Sequence, residues 1–261
     1  MEAVQEMYER GAASYAALRA GLLTHGSGPL LSRLQLRDAR VIVDAGTGTG
    51  GLLPLLRAAA PDATIVGLDL TAGMLEHARS ADVRLAQADL AHPPLRPASV
   101  DVLVSAFVLF HLTDPPSAVR QLAAALRPGG SFAVATWATD EPWAAKAVFS
   151  AELDAAGAPT VTSSRVGAAY TETPAALTAL AESAGLRVLD TEVAPLGAPP
   201  VDAADLVAEW AALGSTAARF AELDRSAKQR VLDNAIEKVG ALSEADRLDP
   251  HVVIRLWATK D

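Results

Sequence analysis

The sequence has 261 residues, enough for one sizeable α/β domain, or a core with a helical appendage, burying a substantial interior. Its 22 basic and 31 acidic side chains give a net charge of −9, which disfavours phosphate backbones and anionic lipid as partners, and no local basic patch offsets it. The absence of cysteine excludes disulfides and thiolate metal sites, and no carboxylate cluster of metal-binding type stands out, so no metal is expected.

Met1 to Arg10 is charged rather than signal-like, and no apolar run is long enough to span a bilayer, so a soluble, cytoplasmic protein is expected. Glu2 to Arg19 has helical spacing, with Val4, Met7, Tyr8 and Tyr15 favouring one face, and a Gly/Ser/Pro break follows at Gly26 to Pro29. Residues 1–36 thus form an N-terminal helical segment. Short β-branched runs then alternate with amphipathic stretches, as βαβ units of a parallel sheet do. Strands are expected at Val41 to Asp44, Thr64 to Asp69, Val83 to Ala86, Val100 to Ser105 and Ser131 to Thr136. The helix before the fifth strand is marked by Thr113 or Asp114 as cap, Pro115 in the first turn, and Gly129-Gly130 as its end.

Beyond Trp137 the pattern predicts a helix over Glu141 to Ala156, a Gly/Pro/Ser/Thr-rich loop over Gly157 to Thr173, a helix over Pro174 to Ala184 and a strand over Arg187 to Val193. A break at Pro195 to Pro200 leads to helices over Ala203 to Leu213 and Ala217 to Val239, then a last strand over Val252 to Ala258. Without repeats or a low-complexity linker, the chain reads as one domain, 1–261, with a cofactor-binding core at 41–137 and a helical cap inserted at 200–248. Self-association is left open by the sequence.

The chemistry starts at Asp44-Ala45-Gly46-Thr47-Gly48-Thr49-Gly50, a strand end running into a glycine turn and a helix, where backbone N–H groups and a positive helix end converge on an anionic group. Gly46, Gly48 and Gly51 also satisfy the G-x-G-x-x-G spacing of dinucleotide sites, so NAD is a rival. Asp44 separates the two. A pyrophosphate beside it meets a like charge, an interaction of roughly 4 kcal/mol at about 4 Å in a protein-like dielectric, whereas the ammonium and sulfonium of S-adenosylmethionine are attracted. Asp69 ends the next strand, where it can accept from both ribose hydroxyls with Leu70 and Met74 in apolar contact. Asp89 follows the third strand and can accept from the adenine amine. Three carboxylates at three successive strand ends occupy the ligand edge of an open α/β sheet.

Val41-Ile42-Val43-Asp44-Ala45-Gly46-Thr47-Gly48-Thr49-Gly50, Val66-Gly67-Leu68-Asp69-Leu70, Met74-Leu75-Glu76-His77-Ala78-Arg79, Ala88-Asp89-Leu90 and Leu126-Arg127-Pro128-Gly129-Gly130 together resemble class I S-adenosylmethionine-dependent methyltransferases. The similarity is nearest to the ubiquinone and menaquinone biosynthesis enzymes and natural-product methyltransferases. It implies a Rossmann-like, doubly wound, seven-stranded sheet with the last strand antiparallel, and adds Ala88, Leu90 and Ser105 to the cofactor-binding residues. Pro54 departs from the pattern, being tolerated only near the first turn of the helix after the glycine turn.

Methyl transfer from a sulfonium needs alignment and water exclusion more than elaborate machinery, and a base helps where the acceptor is a hydroxyl or an acidic carbon. His111, just past the fourth strand, is the leading candidate base, with His25 a weaker rival. Tyr15, with Tyr8, can cover the cofactor as the N-terminal helix of similar enzymes does. Trp137, Trp143, Tyr170, Trp210 and Phe220 are candidates to line a small-molecule acceptor pocket. The expected activity is methyl transfer to O, N or C of a small, apolar metabolite. The alternatives are a cofactor-binding module or cyclase scaffold of the same fold that transfers nothing, or an NAD-dependent oxidoreductase, which lacks a recognisable Tyr-x-x-x-Lys pair.

Overall fold

The computed structural model describes residues 2–79, 82–139, 142–161, 165–197 and 201–261. Strands β1 (Val41–Ala45), β2 (Thr64–Asp69), β3 (Arg84–Gln87), β4 (Val100–Ala106), β5 (Leu126–Trp137), β6 (Leu186–Pro195) and β7 (Val252–Lys260) form one sheet in the order β3-β2-β1-β4-β5-β7-β6. The first five pair in parallel, whereas β7 runs antiparallel to both β5 and β6. This is the doubly wound, Rossmann-like sheet with an antiparallel last strand that the family resemblance implies.

Alternation along each strand divides two hydrophobic layers between the faces of the sheet. Val43, Leu103, Phe132 and Val134 belong to one layer, which α5 (Pro115–Ala125) and α7 (Pro174–Ser183) cover. Ile42, Val102, Val104 and Ala133 belong to the other, against α3 (Leu53–Ala59) and the chain that enters β1. That entering chain comprises α1 (Glu2–Leu18), α2 (Ala20–Ser27) and a 3-10 helix, Gly28–Arg33. The expected break at Gly26 to Pro29 is therefore a change of helix type. Pro29 suits the start of the 3-10 turn, and the strand side holds this segment: Arg255 donates to the Gly26 carbonyl from Nε and Nη2 at 3.0 and 2.8 Å, and Trp257 Nε1 donates to the Leu30 carbonyl at 2.8 Å.

Several boundaries differ from expectation for local reasons. The glycine turn extends through residues 47–52, so α3 begins only at Leu53 and Pro54 falls in its first turn, where it is tolerated. α3 is short, at seven residues, and its Leu53 N donates to the Gly50 carbonyl of the turn at 3.0 Å. Asp114 is the cap of α5, accepting from Ser117 N at 3.0 Å, an interaction typically worth about 1 kcal/mol. That helix ends at Ala125, and Gly129-Gly130 lies inside β5, near a register shift opposite Val100 to Val102.

Of the helix expected from Glu141, α6 (Ala144–Ala155) is observed, and Glu141 lies outside the described residues, as does Pro200 at the start of the expected cap. Between β6 and β7 come α8 (Ala203–Ala212), α9 (Gly214–Ala221), α10 (Arg225–Gly240) and α11 (Glu244–Arg247). The single helix expected over Ala217 to Val239 is two, because the Asp224 side chain accepts from Ala227 N and starts α10 afresh. These helices pack on α6 through a third cluster containing Trp143, Phe149, Leu153, Trp210, Val231 and Val239.

Candidate cofactor and acceptor site

β1 delivers Asp44 to the carboxyl edge of the sheet, where it is 2% exposed. Thr47 Oγ1 donates to Asp44 Oδ2 at 2.8 Å, and no cation pairs with Asp44 among the described residues. Burial is the largest influence on its carboxyl and pushes its pKa up, the Thr47 bond opposes this, and the nearby Asp69 charge adds to the rise, leaving it at about 7. The turn itself is fixed by its own backbone. Gly46 N and Thr47 N both donate to the Leu68 carbonyl at 2.8 Å, and Gly50 N donates to the Thr47 carbonyl at 2.9 Å. Gly46 has φ +83°, and a Cβ there would stand 2.1 Å from Val108 Cγ2, so only glycine fits. Gly51 lacks space for a different reason, since its Cβ would meet Thr24 Oγ1 of α2 at 2.1 Å.

Asp69 faces the turn. Its Oδ2 accepts from Gly48 N at 2.8 Å, and its Oδ1 accepts from Thr71 N and Oγ1 at 3.0 and 2.7 Å. The amides of Gly46, Thr47 and Gly48, expected to bind an anion, are therefore occupied within the protein. Met74, at 3% exposure, and Tyr15 flank Gly48, whose Cβ would lie 3.8 and 4.0 Å from their side chains. Leu70 is half-buried, and its carbonyl accepts from Gln87 Nε2 at 2.9 Å. Asp89 is half-buried between buried Ala88 and Leu90 and accepts from Ala91 N at 2.8 Å through Oδ1, a local turn. Ser105 is fully buried and donates to the Ala45 carbonyl at 2.9 Å, tying β4 to β1.

Tyr15, Asp44, Gly46, Thr47 and Gly48 come together on one cleft, closed from the other side by Ala20, Leu23, Thr24 and Ser27 of α2 and floored by Ala106 and Phe107. Asp69, Leu70, Met74, Ala88, Asp89, Leu90, Ser105 and His111 do not line it. The cleft holds about 40 Å³ and opens to solvent.

His111 is 7% exposed and shares a hydrogen bond of 2.9 Å between its Nε2 and Tyr8 Oη, with the rings edge to face at 5.4 Å. Tyr8 meets Tyr15 in turn, at 5.8 Å. Burial pushes the Tyr8 phenol up to about 12 and raises Tyr15 as well, so both remain protonated. The sequence separates Tyr8 from His111 by 103 residues, and nothing in either segment signals the pair.

On the opposite face of α2 lies a larger cavity of about 350 Å³, within the range of small-molecule sites. Its walls come from α2, α8 and the chain entering β7, and they include His25 and Trp143. Of the other aromatic candidates, Trp210 and Phe220 pack in the third core cluster and Tyr170 is 45% exposed. Trp137 bridges the two regions, lying 4.4 Å from the Phe107 ring, 5.2 Å from the His251 ring and beneath the Arg19 guanidinium at 5.5 Å. His251 Nδ1 pairs with Asp249 Oδ1. Burial pushes the Asp249 carboxyl up, but the His251 bond and charge, helped by Arg19, outweigh it and hold it below the usual carboxylate range. The Asp-x-His spacing is visible in the sequence, though no motif marks it.

Comparison with known proteins adds a likeness to methyltransferases. Residues 43–134 match the family described as a methyltransferase domain. Trans-aconitate 2-methyltransferase of Azoarcus sp. (strain BH72) is 40% identical over 114 residues, covering 42% of this chain and 44% of that protein. Malonyl-[acyl-carrier protein] O-methyltransferase of Hahella chejuensis is 31% identical over 140 residues, covering 52% and 50%. The chain spans about half the length of the curated relatives it matches. Haemonchus contortus phosphoethanolamine N-methyltransferase 2, solved with S-adenosyl-L-methionine, superposes with a TM-score of 0.57 at 16% identity, over 98% of this chain and 59% of that one, a likeness of fold. Over residues 43–134, the chain is thus similar to methyltransferase domains, and the relatives it matches are named as methyltransferases.

Proposed function

We propose that this chain transfers a methyl group from S-adenosylmethionine to an oxygen, nitrogen or carbon of a small, largely apolar metabolite. The observation that carries the reading is Asp44, a buried carboxylate beside a glycine turn with a hydroxyl for a partner and no cation paired with it among the described residues. Such a group favours a cationic ligand and opposes a pyrophosphate. The family match over the same residues points the same way.

In this reading Asp44 attracts the cofactor's ammonium, while Gly46, Thr47 and Gly48 hold the close backbone approach and Tyr15 covers it. Asp69 already binds Gly48 N, so it accepts from ribose hydroxyls only by sharing or surrendering that bond. Leu70, Met74, Ala88, Asp89 and Leu90 follow at the ends of β2 and β3 as the adenosine side. Ser105 steadies the tip of β1 through Ala45. When bound, the cofactor supplies an electrophilic methyl, leaving the protein to orient the acceptor and exclude water. We assign the proton-accepting role to His111, which Tyr8 holds in a fixed orientation.

Titration calorimetry tests this directly. S-adenosylmethionine and S-adenosylhomocysteine should bind with one site and NAD should show no heat, with Asp44→Asn at least tenfold weaker. Binding of NAD in preference to S-adenosylhomocysteine would sink the assignment.

A further inference from the structure

The 350 Å³ cavity on the far side of α2 is not part of the cleft at the glycine turn. Residues 20, 23, 24 and 27 of α2 face the cleft, whereas Gly21, Leu22 and His25, with Leu18 before them, face the cavity. One helix is thus the shared wall of two separate spaces. The cavity walls are mainly apolar, from Leu18, Leu22, Leu206 and Trp143, with Arg247 and Asp249 among the polar groups that line it. The Trp143 indole N–H and Asp249 Oδ2 have no hydrogen-bond partner among the described residues, although Trp143 is 7% exposed and the Asp249 side chain 5%. Arg247 Nε, from the same wall, is also covered and unpartnered. Two donors and one acceptor complement a hydroxyl, which has one proton and two lone pairs.

Charge narrows the class further. Asp205, Glu209 and Asp249 line the space together with Arg247 and His25. Glu209 is balanced by Arg19 at 2.6 Å and Asp249 by His251, leaving no surplus of cations to hold an anionic ligand. We propose that this cavity is a binding site for a neutral, predominantly apolar small molecule bearing a hydroxyl group, recognised by Trp143, Arg247 and Asp249 and distinct from the cofactor cleft. Carboxylate-rich molecules find no surplus of cations there to offset the loss of their hydration. The proposal does not depend on the cofactor reading, because it concerns the other face of α2.

Gly21 supplies the test. A Cβ at this position meets nothing within 4 Å, so a larger side chain can be introduced there at the cavity wall without a backbone clash. The probe is 2-naphthol, titrated by its fluorescence into the full chain, with 2-naphthoate as the anionic control and S-adenosylhomocysteine titrated separately. The wild type should bind 2-naphthol saturably and at least tenfold more tightly than 2-naphthoate. Gly21→Ala should retain this binding, and Gly21→Phe should weaken it at least tenfold with an unchanged melting temperature and S-adenosylhomocysteine affinity. Trp143→Phe, which keeps the ring but deletes the donor, should weaken 2-naphthol severalfold. Absence of saturable 2-naphthol binding, a preference for 2-naphthoate, or full binding by Gly21→Phe would each overturn the proposal, whatever the cofactor titration gives.

Discussion

Asp44 sets a conflict between stability and ligand binding. Its folded-state pKa of about 7 lies above the ordinary 3.8, so the native chain holds the proton that the unfolded chain releases. Its effect on stability is absent below about pH 4, grows as pH rises towards 7 and is complete above it, an upper limit of roughly 4 kcal/mol at 1.36 kcal/mol per pH unit. Asp44→Asn should therefore raise the melting temperature at pH 8 and leave it nearly unchanged at pH 4. A cationic ligand instead favours the ionised form, so S-adenosylmethionine affinity should increase from pH 6 to 8, with release of about 0.9 proton at pH 6 falling to about 0.1 at pH 8, measurable by calorimetry in buffers of different ionisation enthalpy. Flat affinity across that range would show that Asp44 does not meet the cation. Gly46→Ala tests the turn itself. It adds a Cβ against Val108 and places alanine at φ +83°, and a loss of roughly 3 kcal/mol is expected in urea denaturation.

At the scale of elements, α2 both closes the cofactor cleft and bounds the second cavity, so what anchors it matters. Arg255 is 5% exposed and directs two N–H groups at the Gly26 carbonyl. Arg255→Met leaves that carbonyl without its buried donors. It should cost about 1–3 kcal/mol in global stability and speed amide hydrogen exchange within residues 20–33, ahead of β1 and β4. Equal acceleration everywhere would mean that Arg255 supports the fold as a whole rather than this helix. The strands were legible because a β-branched run between turn signals fixes a strand: β2 falls at Thr64–Asp69 as the residues predict. Helix starts were harder to read where the chain turns repeatedly on glycine, as before Leu53, or where a cap such as Asp224 divides one periodic stretch. In the site, Tyr15, Asp44, Gly46, Thr47 and Gly48 converge as the motif implies because they are local to one turn and one covering helix. The Tyr8–His111 contact and the cavity beside α8 arise from packing between distant segments, which periodicity does not encode.

Taken as a whole, a molecule that folds around its ligand edge should be stabilised by ligand in proportion to saturation. S-adenosylhomocysteine at 100 times its Kd adds about 2.7 kcal/mol. For a chain of this size that is a rise in Tm of roughly 5–10 °C in differential scanning calorimetry, with none from NAD. The acidic surface also sets an expectation: with a net charge of −9 the protein should not be retained on heparin at low salt. No helix among the described residues is long and apolar enough to cross a membrane.

The reversal of β7 has a further consequence. Trp137 at the end of β5 pairs with Val253, and Pro195 at the end of β6 pairs with Val252, so the chain leaves the sheet and returns to it on the same edge. Everything between, residues 196–251, is a closed excursion that begins and ends where ligands bind, and no strand of the sheet has to change to accommodate it. A parallel β7 would have forced the chain to return across the face of the sheet, making the connection part of the core. The antiparallel strand makes it an appendage instead: a change of length or sequence within 196–251 is topologically free to leave the strand order of the sheet intact.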